Sequence, residues 1–351
     1  MRHAPIIVGA GLAGVALAHA LHAAGHAPRV LEARAHAGGR ILGLDGFDLG
    51  PSWVWPTLQP RLAAWIAAHG LCIYEQHSAG ALQFEAADGH LQTYAAGMAQ
   101  EPPSQRLLGG SAALLAPLPA LQRAGRIETG VTVRALRLDA NGVEVIAHAN
   151  DGPRRMHAGQ VVLALPPRLI AALDFTPALP AAARARLAAI PTWMAGQAKV
   201  LVRYAQPFWR AAGFSGAAFS QRGPIGELHD ATLPDGRAAL TGFLAWPASV
   251  RAASTDLTGA MLAQLQRLFG PAAAQPLALH VQDWAQEAFT ATVADAEAAP
   301  REHPDYAPIA LPEPWRARVL LAGSEVAPDF GGYLEGALQA AAAAYAALDK
   351  S

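Results

Sequence analysis

The sequence predicts an α/β chain, α+β overall, in which a Rossmann-like dinucleotide-binding domain carries an inserted mixed-sheet domain. Three observations point there. The run from Pro5 to Arg40 reads as strand, glycine turn, helix and second strand ending in an acid. Val161 to Leu165 is uniformly apolar, as expected of a strand covered on both faces. The character changes between about Pro180 and His280, after which the chain returns to an apolar strand at Val319 to Ala322.

Ile6-Ile7-Val8 forms the first strand and is followed by Gly9-x-Gly11-x-x-Gly14. Gly9 permits a tight turn, Gly11 lets backbone approach a pyrophosphate, and Gly14 lets the helix pack close to the strand. The helix N-terminus then presents free amides to the phosphates. Arg29-Val30-Leu31 makes the second strand, and Glu32, 18 residues after Gly14, stands where a carboxylate takes ribose hydroxyls. Between His3 and Pro28 the chain has no Asp, Glu, Lys or Arg, and Arg2 with Ala18-His19-Ala20 imitates a leader peptide and its cleavage site. Neither a membrane span nor a leader is expected. The glycines fall at fingerprint offsets, and removing the run would remove the nucleotide site.

The composition bounds the rest. The 351 residues suffice for two domains, and with 52% hydrophobic and 15% charged residues the chain is interior-rich rather than disordered. A net charge of −1 offers nothing to nucleic acid or anionic lipid. Cys72 is the only cysteine, so no intrachain disulfide or thiolate cluster forms, and a cytoplasmic location is expected. The 13 histidines show no metal-ligand spacing, and no metal site is expected.

Further along, Gly38-Gly39-Arg40 puts a cation just beyond the second strand, fit to complement a pyrophosphate or to sit in a solvated turn. Phe47 to Thr57, dense in Gly, Pro and Trp, suggests a rigid loop against something flat. Gln59 to Gly70 has helical spacing through Leu62, Trp65 and Ile66. From Gln76 to Gln105 the pattern is weak, with a linker expected around Gly97 and Glu101-Pro102-Pro103. Ser111 to Gln122 reads as one helix, then strands follow at Val131 to Val133, Val143 to Ile146 and Val161 to Leu165, the last stopped by Pro166-Pro167. The inserted section offers strands at Lys199 to Tyr204 and near Leu240 to Leu244, and a helix around Met261 to Phe269. An Ala-rich helix from Leu334 to Leu348 closes the chain. Alternation places Lys199 on the polar face of its strand.

VGAGLAG with Glu32 and Gly38-Gly39-Arg40, then DLGPSW, VVLALPPRLI, GQAKVLVRYAQPFWR, Trp284, LLAGSE and GGYLEGAL occur in one order. In these segments the chain resembles the flavin-containing amine oxidases, the monoamine and polyamine oxidase superfamily, along nearly its whole length. The resemblance implies an FAD-binding domain from 1–75, 108–178 and 282–351 and a substrate domain from 76–107 and 179–281. It implies that Gly9, Gly11, Leu12, Ala13, Gly14, Glu32, Ala33, Arg34, Gly38, Gly39 and Arg40 bind the ADP part of FAD, with Val131 at the adenine. It further assigns Gly50, Pro51, Ser52, Trp53, Leu165, Pro166, Gly323, Ser324 and Glu325 to the cofactor, with Trp284, Gly332, Tyr333 and Leu334 beside the flavin ring. By the same resemblance Lys199 holds a water at flavin N5, and Tyr333 is one wall of an aromatic substrate cage.

The departures from the family pattern carry expectations too. Counted from Trp284, the cysteine that binds flavin covalently in some members falls at Val293, so FAD should be non-covalent. The second cage tyrosine falls at Ala294, so half of the cage is missing unless Phe289, Trp55 or Trp246 replaces it. The stretch from Gln76 to Gly109 is much shorter than the family's helical insert, which implies an open or differently roofed site. Glu227 is a candidate for attracting a cationic substrate at the cavity mouth. The expected activity is amine oxidation with O2 as acceptor, in a protein with no nucleic-acid or membrane partner. Alternatives are a renalase-like oxidase of reduced nicotinamides, a desaturase-like flavoenzyme, or a flavin-binding partner with little turnover.

Overall fold

The structure, a computed structural model, describes residues 5–95, 97, 100–298 and 302–349. Arg2, and parts of the expected spans 1–75, 76–107 and 282–351, lie outside the described residues. A five-stranded parallel sheet runs in the order Val319–Leu321, Val161–Leu163, Ile6–Val8, Arg29–Leu31, Ile127–Glu128. Helix Leu12–Ala23 and the final helix Leu334–Asp349 cover one face through Val15, Leu17, Leu338 and Ala341. The other face meets a four-stranded sheet built from Gly152–Ala158, Gly142–Ala149, Val131–Asp139 and Asp174–Thr176. With both faces closed, the strands Ile6–Val8, Val161–Leu163 and Val319–Leu321 are apolar throughout, while Arg29–Leu31 and Ile127–Glu128 toward one edge carry Arg29 and Glu128, which pair with each other.

The inserted section supplies most of a seven-stranded sheet, ordered Ala278–Asp283, Ala198–Tyr204, Ala238–Leu244, Ile225–Asp230, Phe214–Ser220, Ala81–Glu85, Leu91–Tyr94. Helix Leu257–Phe269 packs on one face against Val200, Val202 and Leu240. On the other face, Leu201 and Ala239 pack against Phe47 and Leu49. Lys199 alternates onto this second face, which is covered rather than solvated. The expected polar strand face is therefore corrected: Lys199 is 2% exposed.

Other expectations change in detail. The single helix expected over Ser111 to Gln122 is a 3-10 turn, Ser111–Leu115, followed by a short helix, Leu118–Arg123. Pro117 and Pro119 lack the amide that a continuous helix needs. The weakly patterned stretch contributes a hairpin, Ala81–Glu85 with Leu91–Tyr94, at the sheet edge, where polar residues obscure the alternation. The strands Gly152–Ala158, Phe214–Ser220 and Ile225–Asp230 were not anticipated. Cys72 is a free, exposed thiol. No helix among the described residues is long and apolar enough to cross a membrane.

Candidate active site

A cavity of about 740 Å³ lies between the parallel sheet and the seven-stranded sheet, and both ends of the chain contribute to its wall. Every residue assigned to the cofactor above lines it except Gly14. Gly14 has a packing role instead: a Cβ there would meet the Gly9 carbonyl oxygen at 2.0 Å. Gly9 turns the chain at φ +101°, a region that L side chains rarely adopt.

The geometry fits a dinucleotide. Gly11 begins the Leu12–Ala23 helix with no side-chain cap and no acid in the first turn, so the helix's orphan amides are free for an anion. The backbones of Gly11 and Gly38 bridge to each other, leaving that wall bare of side chains. The buried Glu32 carboxylate accepts hydrogen bonds from the amides of Ala10 (2.8 Å) and Arg34 (2.9 Å), which fixes its orientation at the cavity edge. Arg34 is held in turn by Glu287 and Thr290. Val131 donates its amide to the Glu32 carbonyl at 2.9 Å. Arg40 is not in a solvated turn: it pairs with the fully buried Glu325 at 2.6 Å and donates to Ser324 Oγ and the Trp193 carbonyl. At the far end, Gly332, Tyr333 and Leu334 line the cavity where the final helix begins; the amides of Gly332 and Tyr333 donate to the Ser324 and Phe330 carbonyls, and the helix's own first-turn amides start at Leu334.

Lys199 Nζ donates to the Gly50 carbonyl at 2.6 Å and to Ser52 Oγ, and lies 5.8 Å from the Trp53 ring and 5.7 Å from the Phe243 ring. Burial lowers this ammonium from its ordinary 10.5 to about 7; Asp48 partly opposes the shift and Arg106 adds to it. The loop supplying Gly50 and Ser52 is anchored on both sides. Asp48 accepts from Ser111 and pairs with Arg106 at 3.6 Å, and Trp284 donates its indole N–H to the Leu49 carbonyl at 3.0 Å. Trp53 itself donates to Gln76.

Some expected residues are elsewhere. Val293 is 72% exposed on the short helix Val293–Glu297, and neither it nor Ala294 lines the cavity. Of the proposed replacements for the cage wall, Trp55 and Phe289 line the cavity, Phe289 at the end where it lies against Arg34 beside Glu32, and Trp246 is not in the lining. Glu227 does not line it either: it belongs to the Ile225–Asp230 strand and meets His229 Nε2 at 2.5 Å. The sequence reading missed Trp193 and His303, whose rings are 6.1 Å and 5.0 Å from that of Tyr333, His303 stacking on it. It also missed Phe243 and Arg106. Local patterning carried no signal for the first two, which come from irregular chain; the glycine-rich segment before Tyr333 was the one hint, since Gly332 is where Trp193 packs.

The parallel sheet, the bare-backbone glycine turn and the oriented acid define a dinucleotide-binding oxidoreductase-type fold. A flavin containing amine oxidoreductase model matches residues 74–348, and an NAD(P)-binding Rossmann-like domain model matches residues 7–68. The chain belongs to the flavin containing amine oxidoreductase family. It is 27% identical over 244 residues to the "Probable flavin-containing monoamine oxidase A" of Dictyostelium discoideum, covering 67% of this chain and 51% of that protein. The chain spans about half the length of the curated relatives first in rank. Among solved structures, putrescine oxidase bound to putrescine matches with TM-score 0.79 at 21% identity over 100% of both chains. Cyclohexylamine oxidase from Brevibacterium oxydans IH-35A matches with TM-score 0.80 at 22% identity, covering 100% of this chain and 99% of the other. At such identities these neighbours establish the fold.

Proposed function

We propose that this chain is an FAD-dependent amine oxidase. When bound, FAD supplies the two-electron chemistry: a C–H next to nitrogen loses a hydride equivalent, and dioxygen takes the electrons onward as hydrogen peroxide. The observation that carries the reading is the buried amine of Lys199 in the same cavity as the glycine fingerprint and the Gly332-Tyr333 helix start. The fingerprint amides and Arg40 hold the pyrophosphate, and Glu32 holds the ribose. The amides at the start of the final helix favour negative charge on the ring edge beside them. Lys199 Nζ, fixed by Gly50 and Ser52, keeps a proton donor at the ring. Trp53, Phe243, Trp55 and Tyr333 exclude water and favour the neutral form of an amine, the form that gives up hydride.

The reading keeps FAD non-covalent, supported by a lining that, among the described residues, has no cysteine or histidine. It keeps the division into 1–75, 108–178 and 282–351 against 76–107 and 179–281, supported by the five parallel strands, which all fall within the first three spans. The reading also keeps a cytoplasmic location.

A second reading, oxidation of a reduced nicotinamide or a related carbocycle, is favoured by the incomplete cage: Ala294, where the second tyrosine would fall, does not line the cavity, and Tyr333 is the one tyrosine among the described residues that line it. Anaerobic mixing of the FAD-loaded protein with a panel of amines and with NAD(P)H separates the two. Bleaching by an amine, followed by peroxide release in air, supports the oxidase; bleaching by NAD(P)H alone supports the second reading.

A further inference from the structure

Lys199 has an unusual neighbour in the Asp48–Arg106 pair. Both partners are buried, at 2% and 3% side-chain exposure, and they face each other at 3.6 Å. Asp48 belongs to the same loop as Gly50 and Ser52, which hold the Lys199 amine. A carboxylate so placed would ordinarily be the counter-ion of a buried ammonium. Here it is committed elsewhere: one oxygen accepts the Ser111 amide and hydroxyl, and the other faces Arg106. Arg106 is fixed in its turn by Gln76 Oε1 at 2.9 Å and lies over the Trp53 ring at 6.0 Å.

The other charged groups around Lys199 are also occupied. On the neighbouring strand Ala278–Asp283, Asp283 is locked to Arg251, and the residue opposite Lys199 is the neutral Gln282. On Ile225–Asp230, Glu227 meets His229 behind Trp53, and Asp230 takes Arg210. The residue opposite on Ala238–Leu244 is Phe243. Tyr74 stands beside Arg106, with its phenol pushed up by burial. The amine is thus buried without a carboxylate of its own.

We propose that Arg106 is a positioning residue for Lys199: by engaging Asp48 it withholds the loop's carboxylate, so that the amine facing bound FAD can exist uncharged and exchange a proton. Residue usage supports this independently. Of the 26 Lys and Arg residues, only Lys199 and Lys350 are lysines. Arginine keeps its proton at any working pH, whereas a buried lysine can release it. The one lysine among the described residues therefore stands, buried, where a removable proton matters. An amine near the balance point takes up a proton as negative charge arrives beside it and returns it as the charge leaves. The consequence for turnover rests on the oxidase reading above. The proton count at Lys199 does not, because it can be read without substrate.

Two lysines make that reading direct. Protein labelled with 13C at lysine Cε and loaded with FAD should give two signals, of which the one missing in Lys199→Met belongs to Lys199 and should titrate with a midpoint near 7. Arg106→Gln frees Asp48 to pair with the amine, and the Lys199 midpoint should rise by about 1–3 pH units. Asp48→Asn should lower it, and Arg106→Lys, which keeps the charge, should hold it near the wild-type value. A merely structural Arg106 would weaken folding or FAD retention without moving the midpoint. An unchanged or lower midpoint in Arg106→Gln overturns the proposal. If that variant does not fold, a midpoint in Asp48→Asn at or above wild type overturns it. Activity towards amines enters none of these readouts, so failure of the oxidase reading would leave the result interpretable.

Discussion

Replacing Lys199 by Met should make the stability of this protein depend differently on pH, in a direction the structure fixes. The folded state holds the amine at about 7 and the unfolded state releases it to 10.5. Between these values the unfolded chain binds more protons, so wild-type stability rises with pH through this window, by up to ~1.4 kcal/mol per pH unit. Below about pH 7 both states are protonated and the full penalty of burying the ammonium is present. Taken over the gap from 10.5 to about 7, that penalty is about 5 kcal/mol. Met removes the charge at similar length but leaves the Gly50 carbonyl and the Ser52 hydroxyl without their donor, a pH-independent cost of about 1–3 kcal/mol. Lys199→Met should therefore be more stable than wild type by about 2–4 kcal/mol at pH 6, and less stable by about 1–3 kcal/mol near pH 10.5, where the wild-type penalty has gone. Urea unfolding of both proteins from pH 6 to pH 10.5, at one fixed excess of FAD, measures the difference. A constant difference across the range would refute the reasoning, because it would mean that the amine titrates alike in both states.

Three further outcomes are expected. Gly9→Ala puts a methyl 2.6 Å from the Ala164 carbonyl at φ +101°, and should weaken FAD binding by about 1–3 kcal/mol in a fluorescence titration; an unchanged dissociation constant counts against the turn's assigned role. Arg40→Ala strands the fully buried Glu325 carboxylate and should cost about 3–5 kcal/mol in denaturant unfolding, with Glu325→Gln in the same background restoring part of it. Guanidinium denaturation followed by filtration should release all the flavin, since no cysteine or histidine among the described residues lines the cavity; yellow colour retained with the polypeptide would contradict this.

Local sequence was enough for the parts whose physics is local. Ile6-Ile7-Val8, the three glycines and Glu32 fall within one strand-turn-helix-strand unit, where spacing along the chain is close to spacing in space. The final helix was legible in its alanines, and the doubly covered strand Val161–Leu163 in its unbroken apolar run. The helix misread over Ser111 to Gln122 was misread against its own prolines. Ile225–Asp230 and Gly152–Ala158 mix polar with apolar residues because each turns one side to partners far away in sequence.

The sequence alone determined a nucleotide cradle and the residue types that could serve it. Whether Lys199 meets water or a cavity was decided by the tertiary structure, because a strand's alternation says which side a residue takes but not what covers that side. Phe47, Leu49 and Trp53 come from a loop about 150 positions away, and their approach buries the amine. Other contacts between separate segments bring Arg106 to Asp48 and His303 to Tyr333. Contacts of that range follow from the folding of the whole chain, and no local pattern encodes them.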